Sequence, residues 1–208
     1  MEKKRLIFDL DFTLMVADYS CEREYFESVF TEADDFITSI YKLLTEYEKL
    51  FPKYEISVLS DFLTKRTNLK FNDDIIKGWI DSFGNCRNTI EEGVVDTLEY
   101  LKSKDYSLGV LSNWFYDSQA NRLKSSGLYE YFDSIYAGDM SLKPRKDAYM
   151  SAKDRFSSSE CVFIGDHLDK DYIGPRAYGF DSILYDKDDR YSANLVKIKS
   201  MKEMIERY

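Results

Sequence analysis

The spacing of hydrophobic and polar positions changes twice along this chain. Near its start, Arg5-Leu-Ile-Phe-Asp9 is a short apolar run closed by a carboxylate, the pattern of a parallel strand buried on both faces. Runs of the same kind recur at Ser107-Leu-Gly-Val-Leu-Ser112, Cys161-Val-Phe-Ile-Gly165 and Ser182-Ile-Leu-Tyr185, with a weaker one at Ser134-Ile-Tyr-Ala137. Between them the period becomes helical. Val94, Val95, Leu98 and Leu101 mark one apolar face. Residues 117–128 predict a second helix with Gly127 as its C-cap, and 145–156 and 171–178 predict two more. Strands alternating with helices from residue 90 onward imply βαβ units, hence an α/β fold with helices on both faces of a parallel sheet.

Residues 15–88 break that rhythm. Phe36, Ile37, Ile40, Tyr41, Leu44, Tyr47 and Leu50 follow a helical period, and Ile75, Ile76, Trp79, Ile80 and Phe83 do so again. No convincing strand separates them. The pattern predicts a helical lobe over 15–89 inserted after the first strand, with hinges at 15–19 and 86–92. Residues 1–14 and 90–208 form the remainder.

The 208 residues leave room for one core domain and a modest second lobe, and a hydrophobic content of 44% is ordinary for a globule. No stretch reaches the roughly 20 apolar residues of a membrane helix, so no membrane partner is expected. The basic start is interrupted at once by Asp9 and Asp11, unlike a signal peptide, and a cytoplasmic address is expected. Cys21, Cys86 and Cys161 stand far apart and read as reduced thiols. A single histidine disfavours a His-rich zinc site. The net charge of −9 argues against a broad nucleic-acid surface but leaves room for a small anionic substrate. Oligomeric state is not legible.

Four motifs carry candidate chemistry. Asp9-Leu-Asp11-Phe-Thr13 follows the first strand, at the edge where open parallel sheets bind ligands. Two carboxylates two apart on one strand would share a face, a costly placement without a cation or proton between them. If the backbone turns after Asp9, the two take separate roles, as nucleophile and general acid/base. Leu111-Ser112-Asn113 also follows a strand and reads either as a phosphate cradle or as a helix N-cap. Lys143-Pro144 precedes a helix, where the lysine either neutralises a phosphoryl oxygen or joins Arg145 and Lys146 in a solvated basic patch. Gly165-Asp166-His167-Leu-Asp169-Lys-Asp171 supplies carboxylates, either as ligands of a hard cation such as Mg²⁺ or as an acidic helix cap.

In order and placement these motifs resemble those of the haloacid dehalogenase-like hydrolase superfamily, over 1–14 and 90–190. Asp9-x-Asp11-x-Thr13 is similar to its first motif, Ser112 to its second, Lys143 to its third, and Gly165-Asp166 with Asp171 to its fourth. The resemblance implies a Rossmann-like parallel sheet with a helical cap, and places the Asp9 strand between those of Ser112 and Asp166. It implies an aspartyl-phosphate on Asp9 and proton transfer by Asp11. Phosphate binding would fall to Thr13, Ser112, Asn113 and Lys143. Mg²⁺ would be bound by Asp9, Asp11 (through its main-chain carbonyl), Asp166 and Asp171, with Asp169 a rival for the last place.

Family members that dehalogenate lack a carboxylate at the position of Asp11, so its presence favours phosphate esters. His167 is expected at a loop or pocket edge rather than as a base. Phe12 stands where many relatives carry a small residue, narrowing the pocket roof or packing beneath the cap. The resulting expectation is a Mg²⁺-dependent phosphatase acting on a small phosphorylated metabolite. Its rivals are a phosphosugar mutase with the same chemistry and a non-catalytic binding protein that kept the fold. Which metabolite is not legible.

Overall fold

The computed structural model describes residues 4–208. Strand β1 (Arg5–Phe8) enters directly into the interior. Its alternate side chains serve two cores: Leu6 and Phe8 pack with Leu98, Leu101 and Val110, while Ile7 packs with Leu111, Tyr149 and Phe163. A short ribbon strand β2 (Met15–Ala17) leads into four helices: α1 (Ser20–Val29), α2 (Asp34–Leu50), α3 (Ile56–Arg66) and α4 (Asp73–Gly84). Strand β3 (Asn88–Ile90) returns antiparallel to β2. The rest alternates: α5 (Val94–Ser103), β4 (Ser107–Leu111), α6 (Tyr116–Ser125), β5 (Ser134–Tyr136), α7 (Lys146–Ala152), β6 (Cys161–Gly165), β7 (Asp181–Tyr185) and β8 (Lys197–Ile198).

The main sheet has six strands in the order β5-β4-β1-β6-β7-β8, every pair parallel. The Asp9 strand therefore lies between the Ser112 and Asp166 strands, as the resemblance implies. Parallel pairs require long crossovers, so the strand ends that follow β1, β4 and β6 gather on one edge.

Several boundaries differ from the sequence expectation. The pair β2 and β3 escaped the pattern because three-residue strands carry too little alternation to register. Helices α1 and α3 also escaped it, since their polar residues dilute the apolar stripe. The helix expected over 145–156 stops at Ala152, and Asp154 takes a left-handed φ of 54°. The helix expected over 171–178 is instead a wide π-helical turn, Leu168–Ile173, followed by one short turn, Gly174–Arg176. Such turns recur at functional sites.

The four helices share an aromatic core of their own, with Phe26, Phe36, Tyr47, Phe62 and Trp79 at its centre. Trp114, Phe115 and Leu142, from the loops beyond β4 and β5, belong to the same cluster. Backbone bonds also tie the two regions: Tyr54 N–H donates to Gly138 O (2.8 Å) and Leu142 N–H to Pro52 O (2.9 Å).

Candidate active site

The backbone geometry after β1 decides where the two leading carboxylates go. Asp9 N–H still donates to Ile164 O at 2.8 Å, continuing the ladder with β6. The chain then turns sharply, Leu10 O accepting from Leu14 (2.9 Å) and Met15 (3.1 Å), with Phe12 at a left-handed φ of 58°. Asp9 and Asp11 therefore leave with separate partners, the alternative that permits separate roles.

Asp9 meets Lys143, whose Nζ lies 2.8 Å from its Oδ1 and 2.6 Å from Asp171 Oδ1. Lys143 is buried, and its backbone is fixed by a reciprocal pair with Asn113: Lys143 N–H donates to Oδ1 (2.8 Å) and Asn113 Nδ2 donates to Lys143 O (2.9 Å). Asp171 is fully enclosed, its Oδ2 accepting from His167 N–H at 3.1 Å. Its approach depends on Gly165, since a Cβ there would stand 2.5 Å from Asp171 Cγ. Ligand oxygens of Asp9, Asp166 and Asp171 all lie within 4.8 Å of one another.

Three carboxylates thus converge around one ammonium, and their proton affinities respond. Burial pushes the Asp9 carboxyl up to about 8, with Asp171 and Asp166 adding to the rise against the pull of Lys143. Burial and Asp171 push Asp166 up to about 6. Burial opposes the charge on Lys143, but Asp171 and Asp9 outweigh it and keep it protonated. A hard cation with oxygen ligands fits this set: it would relieve the repulsion, and carboxylates are the donors Mg²⁺ prefers.

Asp11 faces the opposite wall. Its carboxylate is held by the buried Arg122 guanidinium at 2.6 and 3.1 Å, and Gln119 Nε2 approaches at 3.3 Å. Gln119 Nε2 also donates to Ser112 Oγ at 2.7 Å. Arg122 is anchored further by Asn88 Oδ1 at 2.9 Å and by the Phe83 ring, whose centroid is 4.6 Å away. Neither Gln119 nor Arg122 was singled out from sequence. The available signal was a polar pair three residues apart beside apolar Ala120 and Leu123, on what proves the buried face of α6.

The sequence candidates divide as follows. Asp9, Asp11, Ser112, Asn113, Lys143 and Asp166 line one cavity of about 380 Å³. Asp171 sits behind Lys143, whereas Asp169 is exposed and outside the carboxylate group. His167 lies at the cavity rim, as expected. Thr13 does not join the lining: it is fully buried, and its Oγ1 has no hydrogen-bond partner among the described residues. Asn113 differs too, because its amide holds the Lys143 backbone instead of standing free for phosphate.

The match to known proteins is extensive. A family model described as haloacid dehalogenase-like hydrolase covers residues 6–185. The chain belongs to this family. A family relative, the pyrophosphatase PpaX of Listeria welshimeri, is 25% identical over 174 residues, 78% of this chain and 74% of its own length. Pyrimidine 5'-nucleotidase PynA of Streptococcus pneumoniae is 32% identical over 98 residues, but the match spans only 45% of this chain and 41% of that protein. Among solved haloacid dehalogenase-like structures, YfnB of Bacillus subtilis, crystallised with magnesium, shares the fold. Its TM-score is 0.72 at 18% identity, covering 100% of this chain and 99% of the other. No helix among the described residues is long and apolar enough to cross a membrane.

Proposed function

We propose that this protein is a Mg²⁺-dependent phosphatase that hydrolyses a small-molecule phosphate monoester. One observation carries the reading: Asp9, Asp166 and Asp171 converge to within 4.8 Å while Lys143 bridges two of them. An acidic cluster with one fixed ammonium is complementary to a phosphoryl group only when a cation joins it. Asp9, the Asp11 main-chain carbonyl and Asp166 would hold Mg²⁺, with Asp171 in support. The ion supplies charge neutralisation at the phosphoryl oxygens.

The protein's own groups then have distinct tasks. Asp9 attacks phosphorus in line and forms an aspartyl-phosphate as the ester oxygen leaves. Asp11, entering the step as the acid, gives that oxygen its proton and afterwards takes one from the attacking water. This returns Asp11 to its protonated form, frees Asp9 as the carboxylate and releases phosphate. Lys143 and Ser112 hold the transferring oxygens, and Asn113 keeps Lys143 in position. Arg122 and Gln119 orient the Asp11 side chain. The helices over 15–89 act as a cap that closes the cavity against water. The test is phosphate release from p-nitrophenyl phosphate with Mg²⁺ and with EDTA, for the wild type and Asp9→Asn. Loss of turnover on chelation and on substitution is expected. Full activity in the Asp9→Asn protein would end the mechanism.

A further inference from the structure

Rings and acids also line the cavity. Phe12 stacks on Tyr19 (centroids 6.0 Å apart, planes at 13°). Tyr19 in turn meets Tyr41 edge-on at 5.7 Å and Phe83 at 5.8 Å. Phe12 and Tyr41 line the cavity while remaining 49% and 50% exposed. Open aromatic surface inside a hollow is what a flat ligand covers.

Glu22 also lines this wall, although it is buried. Its Oε1 accepts from Trp79 Nε1 at 2.7 Å, and Tyr41 Oη donates to Oε2. No cation stands within ion-pair distance of it among the described residues, Arg122 (itself committed to Asp11) acting on it only from further away, so its remaining lone pairs can serve a ligand donor. Glu48 stands nearby, already engaged by Lys170 Nζ at 2.6 Å and by Tyr54 Oη at 3.1 Å. Lys143 and Lys170 are the lysines of the lining; it contains no arginine. The first is shared by Asp9 and Asp171 and the second is paired with Glu48. Beyond Phe12, in a separate hollow, Lys187 pairs with Glu91 (2.9 Å), and Arg190 lies 3.8 Å from Asp166. A second phosphate or carboxylate on the leaving group would find both lysines of the lining already paired and would face two glutamates.

We propose that Glu22 and the Glu48–Lys170 pair make this cavity select singly phosphorylated esters whose leaving group is a flat, uncharged ring system with N–H donors, and reject those carrying a second anion. The ring slides along Phe12, Tyr19 and Tyr41, and its N–H donates to Glu22. A second anion loses through unpaired like charge, the repulsive element by which sites discriminate. This rests on the phosphatase reading above.

The test uses matched pairs with Mg²⁺: a pyrimidine nucleoside monophosphate against the corresponding diphosphate, and inorganic pyrophosphate alongside. The monophosphate should exceed both in kcat/KM by at least ~10-fold. Glu22→Gln should shrink that preference several-fold through KM for the monophosphate. Glu48→Gln should shrink it by freeing Lys170 for the diphosphate. Calorimetric binding of the same ligands to the catalytically inert Asp9→Asn protein gives the same ranking without turnover, so loss of the chemistry and loss of the selection are told apart. Equal or better use of the diphosphate or pyrophosphate by the wild type would overturn the proposal. So would an unchanged preference in both glutamate variants with unaltered melting temperatures.

Discussion

The sheet edge and the helical wall above it face the same hollow but are made by opposite means. At the edge, three carboxylates and a lysine arrive in the turns and loops beyond the strand ends, Asp9 and Asp171 held by backbone bonds to Ile164 and His167 and Lys143 by the Asn113 amide. On the wall, Phe12, Tyr19, Tyr41 and Phe83 pack ring against ring, with Tyr41 also bonded to Glu22 and Phe83 also lying against Arg122 and Trp114. Backbone-positioned charge is suited to a reaction whose transition state does not change between substrates. Side-chain packing can be altered one ring at a time, which suits recognition. The contrast separates chemistry from choice of substrate, and each side can be challenged alone.

The most damaging change should lie at the edge. Asp9→Asn removes the proposed nucleophile and should lower kcat by at least ~10⁴-fold, as expected when a covalent route is lost. The protein should remain folded, because the amide relieves repulsion with Asp166 and Asp171. Rapid-quench detection of a phosphorylated protein intermediate in the wild type, absent from the variant, is the decisive measurement. Lys143→Met comes next. It leaves Asp9 and Asp171 without their buried partner, a loss of roughly 3–5 kcal/mol in stability for an intact buried pair. Urea unfolding measures it, and a loss below ~1 kcal/mol would mean that the pair is looser than its 2.6 and 2.8 Å contacts indicate.

The same contrast explains what could be read in advance. Asp9 and Asp166 were legible because each follows an apolar run whose length marks a buried strand, and the strand order then forces the ends together, whereas Lys143 was legible only as a lysine set before Pro144 and a helix. Asp171 was legible as a ligand candidate, yet the π-helical turn carrying it was not, because an extra residue in one turn leaves no trace in a short apolar pattern. Thr13 shows the limit within a motif: the turn that separates Asp9 from Asp11 rotates the threonine inward. Glu22, Glu48 and Lys170 were invisible for another reason. Glu22 and Glu48 lie on different helices, 26 positions apart in sequence, and meet the cavity only through tertiary packing. Arg122 carries no mark of its own in the sequence; its place shows only where Asp11 and Asn88 close around it.

On the wall, Trp79→Phe tests whether packing or hydrogen bonding holds Glu22. The indole is fully buried between Phe26 (5.0 Å) and Trp114 (4.7 Å), and its N–H is one of two donors to Glu22. Phenylalanine keeps most of the ring contact but removes the donor, so a loss of about 1–3 kcal/mol is expected. Phosphorylation of Asp9 should survive better than the preference among leaving groups. A preference that stays fixed while stability falls would detach Glu22 from recognition.

The smallest expected effect joins charge at the edge to pH. Asp9 is raised to about 8 and Asp166 to about 6, both chiefly by burial. Between the ordinary carboxylate range near 4 and those values, the folded protein holds protons that the unfolded chain has released, so metal-free stability should fall as pH rises toward 8. A bound cation favours the ionised carboxylates and competes with those protons. Saturating Mg²⁺ should therefore stabilise the fold more at pH 8 than at pH 6. A difference of about 1 kcal/mol corresponds to ~2–4 °C in Tm for a chain of this size. Asp166→Asn should flatten the difference, since it removes both a proton acceptor and a proposed ligand. Identical Mg²⁺ shifts at the two pH values in the wild type would mean that Lys143 already neutralises the cluster, and that the acidic edge does not depend on a metal for its charge balance.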